Sequence, residues 1–156
     1  MVYLIVVLLV IGMIAARLNK PHYQALNKMD GFTFERYVTM LYNEMGYKAY
    51  TTKASGDFGA DVIAAKGKEK LCIQCKRYKG AVGIEAVQQA VASLGYYKGT
   101  RAVVVTNSTY TNAAQILAKK SNAQLIDGYQ LNKLINKHLS DNNIFLWFLH
   151  KITPYL

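Results

Sequence analysis

Apolar residues at helical spacing predict a first helix over residues 30–45. Its apolar face is formed by Phe34, Tyr37, Val38, Leu41, Tyr42 and Met45. Asp30 is a suitable N-cap, and Gly46 is a suitable residue to end the helix. Glu35 falls at the border of the apolar face, where it can reach the edge of a packed layer or remain a surface residue beside Arg36.

The pattern after this helix predicts strands and helices of one α/β domain. Strands are expected at residues 47–53, 60–66 and 69–77, with a basic turn between the last two. A helix at 84–98 has an apolar face of Ile84, Val87, Val91 and Leu94. The run RAVVVT at 101–106 is typical of a strand buried on both faces of a sheet. A helix at 111–120, a strand at 124–126 and a helix at 129–138 complete the domain.

The two ends of the chain differ from this domain in composition. Residues 1–16 carry no charge, and Arg17 and Lys20 follow directly, which predicts a transmembrane anchor over residues 1–18. A cleaved signal peptide, which usually has basic residues before its apolar run, and a buried soluble helix are the alternatives. The positive-inside rule places the domain on the cytoplasmic side of the cell membrane, with a single pass.

The remaining boundaries follow from the same shifts in composition. Residues 19–29 are expected to be a linker, residues 30–139 the domain, and residues 140–156 an aromatic and apolar tail. The tail is too short to span a bilayer. It therefore packs on the domain, lies at the membrane surface, or joins a second copy of the chain in a homodimer.

Charge favours a polyanionic partner. Nineteen Lys and Arg against nine Asp and Glu give a net charge of +10 and an isoelectric point near 9.6, as expected for a protein that binds nucleic acid or an anionic membrane surface. Positive residues are densest between positions 66 and 79, where Glu69 is the single acid. The residues predicted to bind nucleic acid are Lys66, Lys68, Lys70, Arg77 and Lys79. The alternative is a solvated hairpin edge that lysines keep soluble.

The segment GDFGADVIAAKGKEKLCIQCKRY at residues 56–78 carries the candidate chemistry. Side chains alternate along a strand, so Gln74 and Lys76 share one face while Cys75 points the other way. An acid at Asp61 on the neighbouring strand would add a carboxylate to this face. Carboxylate and amide oxygens suit Mg²⁺, and a lysine can hold a water or a phosphoryl oxygen. The alternative is a hairpin with a polar solvent face.

Cys72 and Cys75 form a C-x-x-C, yet an i, i+3 pair on a strand faces opposite sides. With no second pair and three scattered histidines, neither a zinc site nor a disulfide framework is indicated. We interpret both cysteines as small buried hydrophobes in a reducing compartment.

Five collinear blocks between residues 30 and 136 resemble the restriction-endonuclease-like domain of Mrr-type proteins, which is similar in turn to archaeal Holliday junction resolvases. The blocks are GFTFERYVTMLYNEMGYKAYTT, GDFGADVIA, CIQCKRYKGAVGIEAVQQ, AVVVTNSTYTNAA and LIDGYQL. The resemblance implies a PD-(D/E)xK-type fold, in which a central mixed β-sheet is flanked by helices in three layers. It also implies metal-dependent cleavage of DNA.

The resemblance assigns roles to four residues. Asp61 matches the metal-binding acid, Gln74 the variable ligand position, Lys76 the catalytic lysine, and Glu35 the glutamate that this family has on its first helix. These residues imply a bound Mg²⁺, for which Mn²⁺ is a substitute, with Asp61, Gln74 and Glu35 as its ligands.

Two positions depart from the superfamily pattern. Ala60 stands where a proline would precede the acid, and Gln74 replaces an acidic ligand, a glutamine for which the Mrr-like branch is known. One anionic ligand fewer makes Glu35 more necessary. Asp57 and Gln88 are lesser candidates. A nucleic-acid-binding module without cleavage and a membrane-bound adaptor remain as alternative functions.

Overall fold

The predicted succession of elements is present in the computed structural model, which describes residues 26–52 and 58–139. The helices are α1 (Gly31–Glu44), α2 (Ile84–Tyr97), α3 (Asn112–Ser121) and α4 (Gly128–His138). The strands are β1 (Lys48–Thr51), β2 (Val62–Lys66), β3 (Glu69–Lys76), β4 (Arg101–Thr106) and β5 (Gln124–Ile126). Each boundary lies within two residues of its prediction.

Several predicted features lie outside the described residues. These are the anchor at 1–18, most of the linker, Asp57 and the tail at 140–156. Across residues 26–52 and 58–139, the helices are too short or too polar to cross a bilayer.

Local hydrogen bonds explain where the helices begin and end. The carboxylate of Asp30 accepts a hydrogen bond of 2.7 Å from the backbone N–H of Thr33, as predicted for an N-cap. Gly46 follows α1 with a φ of +85°, a backbone conformation that glycine adopts without strain. At α4, Asp127 and Gln130 form a reciprocal capping box.

The five strands form one mixed sheet in the order β1-β2-β3-β4-β5. The pairs β1–β2 and β2–β3 are antiparallel, whereas β3–β4 and β4–β5 are parallel. Strand β4 lies between β3 and β5 and is buried from Ala102 to Thr106, so the interpretation of RAVVVT is confirmed. The start of β2 and the ends of β3 and β4 therefore lie at the same end of the sheet.

Helices cover both faces of the sheet. One face packs against α1 and α4, and the other against α2 and α3. Helix α2 contacts the sheet mainly through small residues, and its fully buried side chains are Ala86, Val87, Ala90 and Ser93. Ile84 is 38% exposed, so the prediction that it belongs to the buried face is wrong. Small side chains allow a close approach of helix and sheet, which leaves the bulkier Ile84 at the rim.

Candidate active site

Asp61 is fixed by the sheet although it lies just before β2. Its backbone N–H donates a 2.8 Å hydrogen bond to the carbonyl of Ile73, and its own carbonyl accepts one of 2.8 Å from the N–H of Thr52. The Thr52 hydroxyl also donates to the carbonyl of Ala60 at 2.7 Å. The backbone of Asp61 is thus held between β3 and the end of β1.

The carboxylate of Asp61 is bonded to the neighbouring strand. One oxygen, Oδ2, accepts hydrogen bonds from the side-chain amide of Gln74 and, at 2.7 Å, from the backbone N–H of Cys75. Asp61 is 9% exposed and Gln74 is 5% exposed. This burial does not fit a hairpin with a polar solvent face. Buried polar groups of this kind are kept in place only when they are paired.

All four residues predicted to be catalytic line one cavity of about 310 Å³. Glu35 enters from α1, Asp61 from the start of β2, and Gln74 and Lys76 from β3. The other described residues of the lining are Gly59, Cys75 and Gln89. Glu35 is half-buried, as its position at the border of the α1 face predicted. The fold thus brings together carboxylates, an amide and an ammonium group from three separate segments.

The turn before Asp61 packs tightly on α2. Phe58 and Gly59 have φ values of +49° and +89°. A Cβ atom on Gly59 would lie 2.4 Å from the backbone oxygen of Gln89, so only glycine fits. The close contact between Gly59 and the backbone of Gln89 also brings Gln89 to the cavity. Gln88, the residue that the sequence suggested, is exposed and does not contribute to the lining.

The oxygen-bearing side chains suit a hard divalent cation. Among the described residues, the carboxylate residues Glu35 and Asp61 and the amide residues Gln74 and Gln89 line the cavity. Mg²⁺ is usually held by one or two carboxylates while water supplies its other ligands. The amide nitrogen of Gln74 donates to Asp61, so the amide oxygen is the atom that would bind a cation. Within the described ranges, His, Cys, Asp and Glu side chains do not form a metal-holding group of three or more.

The pKa of the Cys75 thiol reflects the charged side chains around the site. Its burial raises the pKa of the thiol well above the ordinary value, and the negative charges of Asp61 and Glu35 raise it further, while Lys76 acts in the opposite direction. Cys72 is also buried but packs on the α2 side, whereas Cys75 packs on the α1 side. The predictions that both cysteines are buried and face opposite sides are confirmed.

We expect the free energy of unfolding to fall as the pH rises above about 9. Below the ordinary pKa of a thiol, both states keep the proton of Cys75 and the thiol has no effect. Above it, the unfolded chain releases the proton while the folded chain retains it, so ionisation favours unfolding. Burial raises the pKa of Tyr37 and Tyr110 as well, which extends the loss to higher pH.

Urea unfolding curves at a series of pH values would measure this effect. Cys75→Ala should lower stability at every pH but flatten its decline just above pH 9. A variant with the same decline as the wild type would contradict the assignment to Cys75.

The structure corrects the prediction that one basic cluster surrounds the site. Lys66, Lys68 and Lys70 lie at the turn of the β2–β3 hairpin, whereas Arg77 and Lys79 follow the other end of β3. The two groups are about 20 Å apart, at about 3.3 Å per strand residue. The Nζ atom of Lys66 also donates a 2.8 Å hydrogen bond to the carbonyl of Met45. The residues are close in sequence, but an extended strand separates them.

Residues 26–135 match the Mrr_cat family of restriction endonucleases. A relative in sequence is the type IV methyl-directed restriction enzyme EcoKMrr of Escherichia coli (strain K12), which is 29% identical over 111 residues. The alignment covers 65% of this chain and 36% of that enzyme. The chain thus spans about a third of the length of this relative.

Two solved structures are similar in fold. The DNA modification-dependent restriction endonuclease AspBHI has a TM-score of 0.62 and 19% identity, over 88% of this chain and 41% of that one. MspJI restriction endonuclease, solved in complex with a 27-mer oligonucleotide, has a TM-score of 0.58 and 22% identity, over 75% and 31%. Since the family match runs from Leu26 into α4 and includes every described residue that lines the cavity, this chain belongs to the Mrr_cat family of restriction endonucleases.

Proposed function

We propose that this chain is a DNA endonuclease that hydrolyses phosphodiester bonds and depends on Mg²⁺, with Mn²⁺ as a substitute. One observation carries the proposal. The carboxylate of Asp61 is buried against the amide of Gln74, and Lys76 and Glu35 face the same cavity. Family membership supports the class of reaction. It also supports the use of a metal, because restriction endonucleases usually need a divalent ion.

Five residues of the cavity have proposed tasks. Asp61, Glu35 and Gln74 would hold the metal through oxygen atoms, Glu35 directly or through water. When bound, the ion polarises the scissile phosphate and lowers the pKa of a bound water. Lys76 orients the attacking water and offsets the charge that develops on the phosphoryl oxygens. Cys75 contributes its backbone N–H, which keeps Asp61 in position.

DNA is the proposed substrate because of the net charge and the family. Arg77 and Lys79 lie at the site end of β3, so they would contact the cleaved region. A duplex that extends along the hairpin would reach Lys66, Lys68 and Lys70 after about six base pairs, at about 3.4 Å per pair. The basic residues would therefore act at two separate stretches of the same DNA.

One observation favours a second candidate function, a DNA-binding module that does not cleave. Gln74 stands in place of an acid, and two carboxylates, those of Glu35 and Asp61, line the cavity among the described residues. The deciding experiment incubates the full-length chain with supercoiled plasmid, branched DNA and modified DNA in Mg²⁺, Mn²⁺ or EDTA. Nicking that requires the metal supports the endonuclease. Retardation of DNA without nicking on any of the substrates would favour the binding module.

We further propose that residues 1–18 anchor the protein in the cell membrane, with the domain in the cytoplasm. The uncharged run followed by Arg17 and Lys20 supports this topology. The full-length chain is expected to sediment with membranes after carbonate washing, whereas a chain that starts at His22 should stay in the supernatant.

The orientation is tested separately. Protease added to intact cells should leave the domain uncut. Digestion from outside would contradict the topology, because the domain would then lie outside the cell and would have no access to cellular DNA. High-salt washing of the shortened chain controls for weak binding by the apolar tail at 140–156.

A further inference from the structure

A second polar cavity, of about 290 Å³, lies beside the candidate active site at the carboxyl ends of β3 and β4. Its lining consists of Asn27, Arg77, Tyr78, Lys79, Asn107 and Ser108. Among the described residues, this lining contains two cations and no carboxylate, whereas the first cavity contains Glu35 and Asp61. The two cavities therefore differ in the charge that they favour: the first suits a cation and the second suits an anion.

A hydrogen-bonded frame builds the wall of the second cavity. Asn107 is 4% exposed; its side-chain oxygen accepts a 2.7 Å bond from the N–H of Tyr78, and its amide nitrogen donates a 2.6 Å bond to the side-chain oxygen of Asn27. The carbonyl of Asn27 accepts a 2.8 Å bond from Nη2 of Arg77. Three distant segments of the chain are thus joined around one guanidinium group, which fixes its orientation.

One donor of this guanidinium is unused. The Nε atom of Arg77 is buried, and it has no hydrogen-bond partner in the part of the chain that the structure describes. A buried N–H without an acceptor is unfavourable, and native proteins leave few of them. Guanidinium groups bind phosphate oxygens through neighbouring N–H donors with fixed spacing. Ser108 and Lys79 add a hydroxyl and an ammonium group to the same cavity.

The position of Arg77 relates this cavity to the first one. Lys76 and Arg77 are consecutive, so their Cα atoms are about 3.8 Å apart and the two cavities adjoin at the end of β3. Lys76 lines the first cavity and Arg77 lines the second. A DNA strand whose scissile phosphate lies at Lys76 would thus present a neighbouring phosphate to Arg77.

We propose that the cavity around Arg77 is a phosphate subsite, which binds a backbone phosphate adjacent to the scissile one on the same DNA strand. The inference rests on the proposed nuclease function. In this arrangement Arg77 is a positioning residue, because it fixes the register of the strand relative to Lys76 and makes no contact with the reacting atoms. The frame of Asn27 and Asn107 holds the guanidinium ready for this task.

The test measures binding of the full-length chain, in a mild non-ionic detergent, to a short fluorescein-labelled duplex by fluorescence anisotropy. Ca²⁺ replaces Mg²⁺, so that binding is measured without cleavage. Arg77→Gln should reduce the slope of log affinity against log salt by about 0.9, the value for one phosphate contact. Lys120→Gln removes the same charge from an exposed position near the end of α3 and should leave the slope unchanged.

Arg77→Lys separates binding from a purely structural role. It keeps the charge but loses the pair of neighbouring donors, so we expect a weaker affinity with a slope like that of the wild type. A structural role alone predicts lower melting temperatures for both Arg77 variants and an unchanged slope for both. If both Arg77 variants show lower melting temperatures with unchanged slopes while the wild type cleaves DNA, the subsite proposal is overturned and the proposed nuclease function stands.

The opposite combination would also be informative. A wild type that never cleaves DNA in Mg²⁺ or Mn²⁺, but whose slope falls by about 0.9 in Arg77→Gln, supports a phosphate contact at Arg77 and overturns the nuclease. The binding arm and the cleavage arm therefore fail independently.

Discussion

Asp61→Asn and Lys76→Ala are each expected to lower the rate of metal-dependent DNA cleavage at least about a hundredfold, with little change in DNA affinity in Ca²⁺. Both side chains act on the phosphate as it reacts, and neither reads a base. The rate is measured by plasmid nicking and the affinity by anisotropy. Cleavage by both variants at the wild-type rate would contradict the assignment of the site.

The choice of Asn at position 61 matters for interpretation. The Asp61 carboxylate accepts two hydrogen bonds, so Asp61→Ala would leave buried donors on Gln74 and Cys75 without an acceptor, at a cost of about 1–3 kcal/mol each. Asparagine keeps the volume and one acceptor oxygen, so a loss of activity is not confused with unfolding. Lys120→Gln serves as the control for a change of charge far from the cavity.

Gln74→Glu is an instructive companion to these variants. It restores an acidic ligand, and we expect cleavage to be retained. Because the amide of Gln74 donates to Asp61, the new carboxylate would face a like charge when no cation is bound. The melting temperature of this variant should therefore rise more on addition of Mg²⁺ than that of the wild type.

Gly59→Ala is expected to lower the free energy of unfolding by at least about 2 kcal/mol and to reduce cleavage strongly. The residue has a φ of +89°, and an added Cβ would meet the backbone oxygen of Gln89 at 2.4 Å. A backbone atom cannot rotate away, so the turn must move, and it carries Asp61 with it.

Gly67→Ala is the matched control. This glycine also has a positive φ, of +58°, but an added Cβ would meet no atom within 4 Å. Gly67→Ala should lower the free energy of unfolding by only about 1 kcal/mol, the strain of the left-handed backbone conformation, and should leave the rate of cleavage unchanged. Urea unfolding and plasmid nicking measure both effects. Equal losses in the two variants would mean that the contact with Gln89 has no part in the site.

Local sequence patterns predicted the elements and the positions of several residues that line the cavity, whereas the roles of those residues came from the family resemblance. The alternation of side chains along β3 puts Gln74 and Lys76 on one face, and antiparallel pairing brings Asp61 opposite Gln74. The 100° step of a helix correctly placed Glu35 at the border of the apolar face of α1. These predictions depend on the short-range geometry of strands and helices, which can be read directly from the spacing of residues in the sequence.

Features that depend on tertiary packing were missed. Ile84 was assigned to the core because it is large and apolar, yet the small residues of α2 determine which side meets the sheet. Gln89 reaches the cavity because Gly59 packs on its backbone, a contact that no periodicity indicates. Asn27 and Asn107 are 80 positions apart, so their hydrogen bond has no local signal. The split of the basic residues likewise follows from the length of an extended strand.

The pairing of β2 with β3 also constrains how this chain can evolve. Val62 is opposite Ile73, and every side chain of the hairpin depends on that alignment. A single residue inserted into the turn at Gly67 and Lys68 could slip the strands by one position and turn Gln74 and Lys76 towards the apolar side of α1. A change at the remote end of the hairpin would then dismantle the site without touching any of its residues. Homologous hairpins that keep the site should therefore vary in the composition of this turn and preserve its length.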